Sequence, residues 1–192
     1  MKGEGKMAKT IIVGIAGGSA SGKSTFTKEL AEALKGLRVC QLHMDTYFRA
    51  PGERPVAEAP VTGRSYRDDN HPDTVDLEKL KGDLQQARQS GEYEVIIVEG
   101  LLTLWDKEIR DRLNLRLYVE CRPDERIVRR LRRNMGWGLS FDEIADVYLD
   151  LVRYRHDEYV ESSKWQADFI LNGSKPSPIA LDAVVLYIRS LL

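Results

Sequence analysis

Cysteine is scarce: two in 192 residues, too few for a disulfide framework. Cys40 and Cys121 both fall in apolar, strand-like runs and read as buried free thiols, which fits a reducing cytoplasm. Long hydrophobic runs are missing as well, so nothing here spans a bilayer and no membrane partner is expected. The opening MKGEGKMAKT has no apolar h-region and does not read as a secretory signal. Residues 1–9 read as a disordered lead, or as an extension ahead of a second start at Met7. Charge of one sign is also lacking. Lysine and arginine total 29 against 30 aspartates and glutamates, a net charge of −1. A nucleic-acid binder is more often clearly basic, so no nucleic-acid partner is expected. No internal repeat occurs, and no Asn-Lys-x-Asp element of the kind that reads guanine in switch proteins.

What is present is an alternation. Short continuous apolar runs lie at residues 10–16, 38–44, 94–100, 115–120 and 168–173. Between them come segments with helical spacing, at residues 23–34, 75–87, 123–135 and 140–163, and a last one from Ser177-Pro178. Strands that are apolar throughout and separated by helices predict α/β architecture, a central five-stranded parallel sheet buried on both faces. The length suits one domain over residues 10–192. Residues 49–72 hold prolines at 51, 55, 60 and 72 and show no periodicity, so they read as a mobile functional loop.

The segment GIAGGSASGKST begins in the first strand and opens the first helix. It contains Gly17-x-x-x-x-Gly22-Lys23-Ser24, the P-loop spacing. Glycines let the backbone turn its N–H groups inward as an anion nest, and the helix start adds a positive dipole end. Gly17, Gly18, Ser19, Ala20, Ser21, Gly22, Lys23, Ser24 and Thr25 are therefore assigned to nucleotide binding, with ATP or another NTP as ligand. Lys23 would reach the β- and γ-phosphates and Ser24 would offer its hydroxyl to Mg²⁺. The bland alternative is a flexible Gly/Ser turn.

Three further features narrow the chemistry. Asp45 lies just past the second strand, where ligands sit in open α/β sheets. It can accept a proton from an attacking hydroxyl or merely cap a turn. Glu99 ends a buried strand and needs a cationic partner, for which Mg²⁺ is the natural choice; backbone bonding is the alternative. Arg126, Arg129, Arg130 and Arg133 share one helix face that runs into a Gly-Trp-Gly stretch. Some must be solvated surface, while Arg130 and Arg133 are assigned to the transferring phosphoryl group. His43 reads as packing at the core edge, His156 as structural, and His71 as evenly divided between structure and substrate.

These residues, together with MDTYFR, NHPDTVD, VIIVEGLL, RLYVECRPDERIVRRLRR and YRHDEYVESSKWQADFILN, resemble the uridine kinases within the uridine kinase/phosphoribulokinase group. The likeness runs from Thr10 almost to the end. It implies a P-loop kinase fold and ATP-dependent transfer to the 5′-hydroxyl of a ribonucleoside. Asp45 matches the catalytic base, Glu99 the acid near Mg²⁺, and Arg130 and Arg133 the first lid arginine pair in a lid region of residues 126–140. Phe48 matches an aromatic near the nucleoside, and Asn70 and His71 fall on the motif that holds the ribose. Members are often oligomeric, so a homo-oligomer is among the implied arrangements, although no stripe marks an interface.

The departures from the pattern are specific. Asn70 stands where the family has an acid. The segment before the third strand lacks room for the hairpin that contacts the pyrimidine. The second arginine pair is missing around Trp137. A kinase of another small alcohol (nicotinamide riboside, pantothenate or a sugar phosphate) and a slow NTP-hydrolysing regulatory module stay open as alternatives.

Overall fold

The apolar runs form strands as their composition predicts, and the helices expected to open after Ser140 and Ser177 begin at those positions. The computed structural model describes residues 9–192, so the lead expected over residues 1–9 falls, apart from Lys9, outside the described residues. In chain order the strands are β1 (Ile11–Gly17), β2 (Val39–His43), β3 (Val56–Glu58), β4 (Ser65–Arg67), β5 (Val95–Glu99), β6 (Leu115–Glu120) and β7 (Phe169–Asn172). The main helices are α1 (Lys23–Ala33), α2 (Leu77–Ser90), α3 (Lys107–Arg110), α4 (Pro123–Met135), α5 (Phe141–Val147), α6 (Arg153–Arg155) and α7 (Pro178–Leu191).

Five strands make a parallel sheet in the order β2-β5-β1-β6-β7. Every residue of β1 and β5 is buried, which is why those segments carry no polar alternation. Ile11, Val13 and Ile15 point to the face covered by Leu30 of α1, by Leu34 just past its end and by Val184 and Ile188 of α7. Ile12, Ile96 and Val98 point to the face covered by Leu80 and Leu84 of α2. Gly14 leaves room for Leu113, whose Cδ1 would lie 2.3 Å from an added Cβ. β2 and β7 are the sheet edges and correspondingly half-exposed. Cys40, on β2, is therefore only partly covered, while Cys121 is buried; both thiols are free.

Residues 49–72 are less irregular than their aperiodic sequence implies. They contain the antiparallel hairpin β3–β4, with Ala57 opposite Tyr66. The helix expected over residues 140–163 also departs from regularity. It opens on the capping box read from the sequence, with Ser140 Oγ accepting from the Glu143 amide at 3.2 Å and Glu143 Oε2 accepting from the Ser140 amide at 2.8 Å. It then passes through two π-turns, Tyr148–Val152 and His156–Val160, on either side of α6, and ends in a 3₁₀ segment, Glu161–Gln166. Extra residues of this kind rotate the helix face and often mark functional segments.

Candidate active site

The carboxyl ends of β1, β2 and β5 converge, and the P-loop leaves β1 at that point. Gly17 has φ +151°, and a Cβ there would stand 2.6 Å from the Val119 carbonyl oxygen. Gly18 lies against Arg126, whose Nη1 would be 2.4 Å from an added Cβ. Gly22 caps α1 with φ +102°. Ala20 is the one described non-glycine residue with positive φ, at 63°, so the loop stores strain that its surroundings must hold. Ser21 is fully buried, with its hydroxyl unpartnered among the described residues. The loop is thus a backbone cradle that side chains would fill. Ser24 and Thr25 occupy the exposed side of the first turn of α1.

Lys23 and Glu99 are both buried, Glu99 being 6% exposed. Lys23 Nζ lies 3.6 Å from Glu99 Oε1, and Ser24 Oγ donates to the same oxygen at 3.3 Å. Glu99 Oε2 is 3.0 Å from His43 Nδ1. His43 is therefore a partner of the strand-end acid, beyond the packing role read from the sequence. The two residues sit side by side because β2 and β5 pair in the register His43↔Glu99. A hydroxyl and a carboxylate oxygen facing one point are hard donors of the kind Mg²⁺ takes, in a site the substrate's phosphates would complete.

Asp45 lies in the 3₁₀ turn Met44–Tyr47 that follows β2. β5 separates β2 from β1 in the sheet, yet Asp45 shares one cavity of about 790 Å³ with Ser19 and Lys23 of the P-loop. Phe48, Asn70 and His71 line the same cavity. The Phe48 ring has the Arg54 guanidinium 4.9 Å from its centroid. His71 Nδ1 accepts from the Asp73 amide at 3.1 Å, and its ring meets Tyr159 edge-on at 5.6 Å. The Asn70 backbone N–H donates to Asp68 Oδ1 at 3.1 Å.

Four of the five arginines of α4 divide the work. Arg130 Nη1 and Arg133 Nη2 both donate to Ser19 Oγ, at 3.0 and 3.3 Å. Burial pushes both guanidinium pKa values down; Arg133 lowers Arg130 further, while Asp45 partly restores Arg133. Arg130 Nε is buried and unpartnered among the described residues. Two cations drawn together over the cradle are set for polyanion binding. Arg129 instead donates to the carbonyls of Gly173 and Ser174 at 2.8 and 3.2 Å. That turn after β7 abuts the P-loop so closely that a Cβ on Gly173 would lie 2.0 Å from the Ser21 carbonyl oxygen.

Arg126 is buried, donating to the Cys121 carbonyl at 3.1 Å and to His156 Nδ1 at 3.2 Å. That donation fixes the tautomer: Nδ1 accepts, so Nε2 carries the proton toward Glu161 Oε2 at 3.4 Å. Burial, reinforced by Arg126, lowers the His156 pKa to about 4. The unfolded imidazole, with a pKa near 6.5, binds its proton first as pH falls. Stability from the neutral ring is therefore complete above about pH 6.5 and is lost as pH falls toward 4. His156→Gln is expected to flatten this dependence, so that the stability gap between wild type and variant shrinks by about 3 kcal/mol from pH 7 to pH 4 in denaturant titrations. A constant gap would show that the ring is not held neutral.

Two further acids are tied by guanidinium groups. Asp68, 0% exposed, accepts from Arg155 Nε at 2.6 Å across 87 residues. Asp69 is reached by Arg67 Nε at 2.9 Å and by Arg54 Nη1 at 3.0 Å. Burial opposes ionisation of Asp69, but these two guanidiniums outweigh it and hold the pKa below the usual carboxylate range.

Residues 81–177 match the model of the Phosphoribulokinase / Uridine kinase family. The chain is 32% identical to the uridine kinase of Bacillus subtilis (strain 168) over 200 residues, covering 95% of each. It is 30% identical to that of Bacillus pumilus (strain SAFR-032) over 208 residues, covering 96% of this chain and 97% of the relative. Among solved structures, one from Silicibacter sp. TM1040, provisionally described as a fructose transport system kinase, superposes with a TM-score of 0.65 at 19% identity, over 88% of this chain and 92% of that one. Another, described as a possible uridine kinase from Bacillus stearothermophilus, gives 0.59 at 20% identity, over 88% and 91%. At those identities the structural likeness speaks for the fold alone.

Proposed function

The chain belongs to the phosphoribulokinase / uridine kinase family and is an ATP-dependent small-molecule kinase, and on that premise we propose that it phosphorylates the 5′-hydroxyl of a ribonucleoside. The observation that carries this reading is the shared cavity, in which the anion cradle, Arg130 and Arg133 and the Asp45 carboxylate border a single space. Its remaining wall includes Asn70 and His71, polar groups suited to ribose hydroxyls.

In this reading the amides of residues 17–25 hold the triphosphate, and Lys23, Arg130 and Arg133 stabilise charge on the group in flight, where most of the rate enhancement of such enzymes arises. Asp45 orients the acceptor hydroxyl and takes its proton. Ser24 and Glu99 would hold Mg²⁺, which supplies charge neutralisation at the phosphates. Asn70 bonds the ribose without the charge-assisted strength of an acid.

A kinase of a different small alcohol is the second reading. Its support is the direct passage from α2, which ends at Ser90, into β5, which starts at Val95. That passage leaves no hairpin to read a base there. ADP release measured against uridine, cytidine, nicotinamide riboside, pantothenate and sugar phosphates separates the two. Ribosides are expected to stimulate turnover at least about tenfold over the acceptor-free rate. Stimulation by pantothenate or a sugar phosphate alone selects the second reading. One slow rate indifferent to every alcohol would mark an NTP-hydrolysing regulatory module.

A further inference from the structure

The hairpin β3–β4 supplies none of the phosphoryl-transfer groups, yet Arg64, Tyr66 and Arg67 all line the acceptor cavity. It is latched to the segment after α4 at three points. Arg64 Nη1 donates to Asp146 at 2.9 Å, while Thr62 Oγ1 and Tyr66 Oη each donate to Asp150 Oδ2 at 2.8 Å. The Tyr66 ring is therefore fixed in orientation by its hydroxyl. The charged groups along this wall are committed to one another: Arg64 to Asp146, Arg67 to both oxygens of Asp69, and Glu143 to its own helix cap. What they leave for a ligand is planar or aliphatic: Tyr66, Trp137, Leu139, Ile144 and Val147. Trp137 is 70% exposed, with the Arg133 guanidinium 5.0 Å from its ring centroid. An indole that open on the rim of a cavity is available surface.

We propose that this hairpin is the acceptor-reading element of the enzyme, with Tyr66 as its specificity-determining residue. The aglycone of the riboside lies against Tyr66 and Trp137 by surface contact, in place of base-edge hydrogen bonding. The inference rests on the riboside reading proposed for this site. It carries a consequence for selectivity. A site whose own polar groups are already paired leaves none of them stranded when the base changes, so it discriminates weakly. Uridine, cytidine and inosine are therefore expected to have kcat/KM values within about tenfold of one another.

The test compares acceptor and ATP kinetics for wild type, Tyr66→Ala, Tyr66→Leu and Tyr66→Phe on the best acceptor of the panel, whatever its class. Removing the ring is expected to raise the acceptor KM about tenfold to a hundredfold and to leave the ATP KM unchanged. Tyr66→Phe keeps the ring and is expected to stay within about threefold of wild type. Should the alanine variant fail to fold, Tyr66→Leu fills the volume without a flat face and is expected to raise the acceptor KM in the same way. An unaltered acceptor KM in the alanine or leucine variant overturns the role of Tyr66. Discrimination among bases of about 10⁴ or more overturns contact reading, because it requires dedicated hydrogen bonds. A best acceptor that is not a riboside refutes the proposed function instead, and the Tyr66 variants measured on that acceptor still judge the hairpin.

Discussion

Lys23→Ala is expected to lower kcat/KM about 10³-fold and to weaken nucleotide binding, as read by ADP release and a nucleotide titration. Lys23 opens α1, where the ammonium joins the amides of the cradle and the positive end of the helix. Its Nζ also lies 3.6 Å from the carboxylate that ends β5. Removing one preorganised charge or donor from a phosphoryl or oxyanion site costs about 10²–10³ in rate, and Lys23 serves ground-state binding as well, so both parameters should move. A stability effect accompanies the kinetic one. Without Lys23, Glu99 is left buried with only Ser24 and His43 beside it, and an uncompensated buried carboxylate is destabilising. Lys23→Ala combined with Glu99→Gln should recover melting temperature without recovering turnover. Unchanged kinetics in the single variant would be incompatible with a triphosphate on this loop.

How far this site is legible in the sequence depends on where its information lies. The P-loop is local: glycine positions, one lysine and one hydroxyl within a few residues, flanked by a strand and a helix. The same holds for β1 and β5, buried on both faces, and for the Ser140–Glu143 cap. The hairpin β3–β4 is the opposite case. Its strands are three residues each and largely exposed, so no alternation of polar and apolar residues announces them. Their hold on the molecule comes from Asp146 and Asp150, 82 to 88 residues distant. The pairing of His43 with Glu99 depends on the register of β2 and β5, which neither strand encodes alone. The π-turns add residues to a helix without changing its composition, so a 3.6-residue period passes over them. Long-range charge pairs hold the acceptor-side hairpin and strand register sets His43 beside Glu99, while short-range backbone chemistry builds the phosphate cradle. Only the second kind of information can be read from a few neighbouring residues.

Asp45→Asn isolates the other half of the reaction. The amide has the same shape and can still accept a hydrogen bond from an acceptor hydroxyl, but it cannot take the proton. If Asp45 is the base, kcat should fall about 10²–10⁴-fold, with the ATP KM within about twofold of wild type. The neighbourhood supports that separation. Asp45 is exposed to the shared cavity from a turn at the end of β2, whereas the cradle is built from the end of β1 and the start of α1, so the substitution leaves the nucleotide side intact. Arg133 feels the Asp45 charge, and loss of that charge would free the guanidinium for phosphate. Tighter or unchanged ATP binding with turnover nearly abolished is therefore the signature of a base. Turnover at the wild-type rate would remove Asp45 from the chemistry and leave the acceptor hydroxyl to lose its proton directly to the departing phosphoryl group.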